Sequence, residues 1–137
     1  MRLVDLRNEL KEEYKDVVIF MKYGNFYRVF DDDCYIIGGL LGYRIYDDNK
    51  VGFAISEFEK VKKILDYNNI SYIFYNRCES IKELNSYELV LDYYKNYFYK
   101  SELINTLFNY DITNELEKIL KVVNYEQLNK LRKKYER

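Results

Sequence analysis

Phe26 and Arg28 stand two residues apart, directly after Gly24-Asn25, in the run Val17-Val18-Ile19-Phe20-Met21-Lys22-Tyr23-Gly24-Asn25-Phe26-Tyr27-Arg28-Val29-Phe30. If the second half of that run is a strand, both side chains project from one face, because successive residues alternate. A ring beside a guanidinium suits stacking on a flat ligand while donating hydrogen bonds to it. The same pattern also suits a hairpin buried in a core. Gly24-Asn25 has the residue types of a short connection with positive φ, so two paired strands are expected on either side of it.

Other chemistry is harder to assemble. The chain has no histidine, which removes the commonest general base and the commonest metal ligand together. Cys34 and Cys78 are its two cysteines. Without histidine or further thiols they form neither a zinc site nor a catalytic dyad, and free thiols are expected. Asp31-Asp32-Asp33 resembles a divalent-metal cluster, but at a helix start its better role is capping. No Gly-x-x-x-x-Gly-Lys-Ser/Thr loop is present to cradle phosphates, so no nucleotide cofactor is expected. An enzyme is not expected.

The 137 residues suit one folded protein, 48% hydrophobic and 33% charged. The 22 basic residues are balanced by 23 acidic ones, for a net charge of −1. Non-specific DNA affinity comes mainly from phosphate neutralisation, so this balance argues against strong stand-alone duplex binding. A local basic patch remains available in Lys130-Leu131-Arg132-Lys133-Lys134-Tyr135-Glu136-Arg137. No apolar run reaches membrane-spanning length and the N-terminus lacks a signal-like segment, so a cytoplasmic location is expected.

The elements that must hold Phe26 and Arg28 follow from periodicity. Leu3, Leu6 and Leu10 predict an amphipathic helix with Glu9, Lys11, Glu12 and Glu13 on its other faces. Strands are expected at about 17–23 and 25–30, then a short helix capped by the aspartates and ended by Gly38-Gly39. Tyr43–Tyr46 and Val51–Ile55 read as strands around the turn 47–50. Ser56-Glu57-Phe58-Glu59 reads as a capping box for a helix with Phe58, Val61, Ile64 and Leu65 inward. Ser71–Tyr75 reads as a buried strand. Ser80-Ile81-Lys82-Glu83 is a second capping box. Tyr87, Val90, Leu91, Tyr94, Tyr97 and Phe98 then form an aromatic stripe at helical spacing. Because basic residues do not interleave with it, core packing is its expected role, ahead of stacking on single-stranded bases. Leu103, Leu107 and Phe108, then Leu116, Ile119, Leu120 and Val123, then Leu128 and Leu131 mark further short helices. The expected fold is α/β (α+β): a mixed β-sheet flanked by helices over 1–78, and an all-helical extension over 79–137 that packs on it or mediates oligomerisation.

The segment Gly24-Asn25-Phe26-Tyr27-Arg28-Val29-Phe30 with Asp32-Asp33-Cys34 resembles the Gly-Asp-Phe-Tyr-Glu-Leu-Phe…Asp-Asp-Ala signature of MutS-type DNA mismatch-repair proteins. That signature belongs to their N-terminal mismatch-recognition domain (domain I). The similarity runs from the leading helix to Ser71-Tyr72-Ile73-Phe74, with Leu40-Leu41 and Gly52 at positions the family also marks. In the family the motif phenylalanine wedges beside a mispaired base from the minor groove, and the glutamate two residues on bonds that base. The resemblance therefore gives Phe26 the wedge position and puts Arg28 where the glutamate stands. The sequence departs from the pattern in that charge reversal, in Ala54-Ile55-Ser56 for Pro-Tyr-His, and in Asn76-Arg77 for an acidic-polar pair.

The resemblance implies a non-catalytic protein that binds mispaired or distorted double-stranded DNA, with Phe26, Arg28, Asn25 and Gly24 as the contacting residues. The ATPase and clamp parts of a repair protein do not fit in the remaining chain, so a free-standing recognition-like domain is expected. The alternative is a protein-interaction or regulatory module that kept the fold without base reading. Such a module would dimerise through its helical half or engage a repair protein.

Overall fold

The computed structural model describes residues 2–46 and 49–107, with side chains as far as 103. The elements run α1 (Leu3–Glu13), β1 (Val18–Tyr23), β2 (Phe26–Phe30), α2 (Asp33–Leu41), β3 (Lys50–Ala54), a 3₁₀ turn (Ile55–Glu57), α3 (Phe58–Tyr67), β4 (Tyr72–Phe74), β5 (Cys78–Ser80) and α4 (Tyr87–Leu107). The strands form a five-stranded sheet in the order β3-β2-β1-β4-β5. β1 and β4 are parallel, and the other neighbours are antiparallel. The sheet is mixed and flanked by helices, the class that the sequence predicts. Contacts divide the chain into one compact unit over Met1–Leu91 and another over Asp92–Arg137.

Both faces of the sheet are apolar, and alternation assigns each residue to one of them. Val18, Phe20, Tyr27, Val29, Val51, Phe53, Tyr72 and Phe74 face a core closed by Cys34, Ile36 and Ile37 of α2, Phe58, Val61 and Leu65 of α3, and Tyr87 and Leu91 of α4. The Phe20 and Phe74 rings stack at 4.0 Å, and Tyr27 meets Phe74 edge-on at 5.1 Å. Val17, Ile19, Met21, Phe30 and Ile73 face the other way, against Leu3, Leu6, Leu10 and Tyr14. The leucine stripe thus does what its spacing predicts.

The Asp33 carboxylate is fully buried where α1, β1, α2 and α4 converge. Its Oδ1 accepts from Lys11 Nζ at 2.7 Å and from the Tyr87 hydroxyl at 2.7 Å. Its Oδ2 accepts from the Ile19 N–H at 3.2 Å and lies 3.5 Å from Arg7 Nη2. The β1–β2 pairing runs from Tyr23↔Phe26 to Met21↔Arg28. Continued, it would set Ile19 opposite Phe30. There the ladder opens: the Ile19 N–H goes to Asp33, and the Phe30 carbonyl accepts from Arg7 Nη2 at 3.0 Å. The ion pair occupies the gap and satisfies both buried backbone groups.

Several local expectations are corrected here. Asp33 is a buried ion-pair partner, and α2 begins with no side-chain cap bond. Lys11, expected on a solvent face, reaches inward to Asp33, the Val17 carbonyl and Tyr87. α2 continues through Gly38-Gly39 and ends at Gly42, whose φ of 72° closes the helix with its N–H on the Gly38 carbonyl. Gly38 is needed for packing: a Cβ there would sit 2.9 Å from the Ile45 side chain. The stretch 43–46 is no strand, Tyr46 making one isolated bridge to Lys50. Ser56 lies in the 3₁₀ turn, and α3 has no side-chain cap bond. Ser80 belongs to β5, which the sequence reading missed, and the next helix starts only at Tyr87. Asp47 and Asp48 of the expected turn, the helices expected beyond 107 and the basic run 130–137 lie outside the described residues.

Both cysteines are free, Cys34 being buried and Cys78 half-buried. Burial first, then the neighbouring charges of Asp33 and Asp31, push the Cys34 thiol from its ordinary 9.0 up to about 12.

Two measurements check this packing. Asp33→Asn leaves Lys11 and Arg7 without their buried counter-charge, so urea unfolding should show a loss of about 3–5 kcal/mol; a loss below about 1 kcal/mol would contradict the ion-pair account. Iodoacetamide should label native protein at Cys78 and spare Cys34 until it is unfolded. The folded Cys34 thiol keeps its proton to higher pH than the unfolded one. Its contribution to stability is therefore complete below pH 9.0 and is lost as pH rises toward 12.

Candidate nucleic-acid interface

Tyr23 pairs with Phe26, so two residues, Gly24 and Asn25, make the connection between β1 and β2. Gly24 has φ 58°, and Asn25 is not among the positive-φ residues. One glycine therefore supplies the left-handed conformation that a short hairpin needs. The Asn25 carbonyl accepts from the Ile55 N–H at 2.9 Å, tying the turn to the end of β3.

Beyond that turn the α1 face of the sheet loses its cover. Along β2, Phe30 is buried, Arg28 is half-buried and Phe26 is 52% exposed. Along β1, Ile19 and Met21 are buried and Tyr23 is half-buried. An eleven-residue helix is only about 16 Å long, and the leucines of α1 end the burial before the hairpin tip. Phe26 and Arg28 do share a face, as their spacing predicts. That face is open at their end, so Phe26 projects from the surface.

Arg28 lies with its guanidinium 4.7 Å from the centre of the Tyr23 ring, a cation–π contact that directs it along the sheet. The nearby Asp31 and Asp33 pair with Arg7 and Lys11. β3 completes the platform. Gly52 stands opposite Arg28, Lys50 opposite Phe30 and Ala54 opposite Phe26. Phe26, Arg28, Tyr46, Lys50 and Gly52 line a surface cavity of about 420 Å³. A second, adjoining one of about 470 Å³ is lined by Arg2, Leu3, Val4, Tyr23, Arg28, Phe30 and Lys50. Arg28 and Lys50 border both.

Tyr23, Tyr46 and Lys50 were not singled out from sequence. Strand register is the signal for Lys50, since it shares alternation with Gly52. Tyr46 depends on an irregular loop that no periodicity marks. The described lining is aromatic and cationic, and a ring next to a guanidinium and an ammonium is suited to stacking a base while pairing with phosphate. Among the described residues no group of three or more His, Cys, Asp or Glu is placed to hold a metal ion.

The family model of MutS domain I matches residues 5–65, from α1 through α3, and so covers the hairpin, the Asp33 ion pair and β3. No curated protein matches the chain. With the hairpin, the exposed Phe26 and the mixed sheet in place, residues 5–65 of this chain are similar to MutS domain I, the domain type that recognises mismatched DNA in mismatch-repair proteins.

Proposed function

We propose that this protein binds double-stranded DNA at mispaired or distorted sites, with Phe26 as the wedge and Arg28, Asn25 and Gly24 around it. The observation that carries this reading is a 52% exposed phenylalanine on a paired strand, at the position that the resemblance gives to the family's wedge. A wedge works by partial unstacking, which costs a few kcal/mol per step and least at a mispair. Holding the ring on a paired strand, next to a two-residue turn, avoids ordering it on binding.

Arg28 changes what such a wedge can discriminate. A carboxylate at this position repels the backbone and disfavours ordinary duplex. A guanidinium attracts phosphate and fits narrow minor grooves, so general affinity rises and discrimination flattens. The reading is of a non-catalytic, cytoplasmic domain: the 137 residues hold no histidine to act as a general base. Among the described residues no helix is long and apolar enough to cross a membrane.

A second reading, a protein-interaction module that kept the fold, rests on the net charge of −1 and on α4, which exposes Leu89, Tyr93 and Tyr97 at helical spacing. A homodimer through the helical half, or contact with a repair protein, belongs to that reading.

The two separate in a titration at low salt with a duplex carrying one mispair and with its matched control. The DNA reading expects both duplexes to bind. Phe26→Ala should remove the preference for the mispair, and Arg28→Glu should weaken both complexes while widening the gap between them. Binding to neither duplex would leave the interaction module. Loss of mispair preference on Arg28→Glu would refute the role given to Arg28.

A further inference from the structure

The cavity beside Phe26 has a shape that a wedge does not require. A wedge inserts protein into DNA, whereas a cavity takes part of the ligand into the protein. We propose that this cavity is a separate site for one unpaired nucleotide, its base against the rings of Phe26 and Tyr46 and its phosphate held by Arg28 and Lys50. The site shares Phe26 and Arg28 with the mispair reading but does not depend on that reading.

Four observations support the assignment. First, its volume of about 420 Å³ lies within the roughly 300–1,000 Å³ of small-ligand sites. Second, the floor is open because β3 carries glycine at the position facing Arg28. A Cβ on Gly52 would meet Arg28 Cγ at 3.6 Å, and any longer side chain would extend into the space. Third, Arg28 and Lys50 are diagonal neighbours across β2 and β3, Arg28 pairing with Gly52 and Phe30 with Lys50. Diagonal positions on one face lie about 7–8 Å apart, within reach of long side chains converging on one phosphate. Fourth, Tyr46 is 54% exposed and is fixed beside Lys50 by their bridge, with the Arg44 guanidinium 5.2 Å from its ring centre. Two rings and two cations around one opening are the parts of a single-strand site, in which base stacking gives affinity without reading sequence. A single strand also presents its base without the cost of unpairing.

The test uses the whole chain and fluorescence anisotropy with a labelled oligothymidylate of about eight nucleotides, with thymidine monophosphate as competitor. Binding should show a log–log salt slope near about −0.7 for the one phosphate held, and Lys50→Gln should make that slope shallower. Gly52→Leu fills the cavity and should weaken oligothymidylate binding by about tenfold or more. If circular dichroism shows that Gly52→Leu does not fold, the Lys50→Gln slope decides. Competition by thymidine monophosphate at similar concentration keeps the site and makes free nucleotide its ligand. Competition only at far higher concentration assigns it to a strand. No binding of either probe, or binding that folded Gly52→Leu and Lys50→Gln leave unchanged, overturns the proposal. A protein that binds mispaired duplex but neither probe loses the cavity site and keeps the wedge. The opposite result keeps the cavity and removes the wedge.

Discussion

Asp33 is the constraint from which the arrangement follows. A carboxylate with no solvent contact is tolerated only when its charge and its lone pairs are all answered. Here Lys11, Arg7, the Tyr87 hydroxyl and the Ile19 N–H answer them together. These partners come from α1, β1 and α4, so the one group fixes α1 against the sheet, α2 against β1 and the start of α4 against both. The Arg7 guanidinium reaches on to the Phe30 carbonyl and to Asp31 at 3.3 Å. Asp31 itself, at φ 54°, is the point where the chain leaves β2 for α2. A buried pair of this kind need not add net stability. It does make alternative packings costly, because any of them would strand a charge.

The functional consequence lies at the other end of the same strands. Pairing between β1 and β2 is complete only from Met21↔Arg28 to the hairpin. The open end of the ladder is filled by the ion pair under α1. The closed end carries Tyr23, Phe26 and Arg28 on a face that α1 is too short to cover. One strand therefore passes from buried Phe30, through half-buried Arg28, to exposed Phe26 within five residues. A singly exposed aromatic ring is ordinary on a protein surface, and its place on a hairpin beside cations is what gives it meaning. The described lining of the two cavities includes the cations Arg2, Arg28 and Lys50, in a chain whose overall charge is balanced.

Much of this was legible in the residues. The leucine spacing of α1, the apolar runs of β1 and β2, and Gly24 at the turn each carry a local signal, and the structure follows them. The shared face of Phe26 and Arg28 follows from alternation alone. Their exposure does not, because it depends on where a helix of another segment stops. The aspartate triplet misled for the same reason: a helix cap is a local event, whereas the partners of Asp33 come from α1, β1 and Tyr87, far away in sequence. β5 escaped notice because Cys-Glu-Ser has no strand propensity of its own and is a strand only by pairing with β4. Gly38-Gly39 suggested a helix end, but Gly38 serves the close approach of Ile45 and the chain turns at Gly42 instead. Residue types announced the chemistry of the site; tertiary packing decided which side chains would be free to perform it.

The central claim is that the uncovered end of the α1 face, and not the opposite face or the helical part, is where DNA meets this protein. Backbone-amide NMR during titration with a mispaired duplex addresses it directly. The account predicts the largest shift changes at Tyr23–Arg28 and Lys50–Ala54, with Phe58–Tyr67 nearly unchanged. Perturbations centred on α3, or spread evenly along the chain, would contradict it.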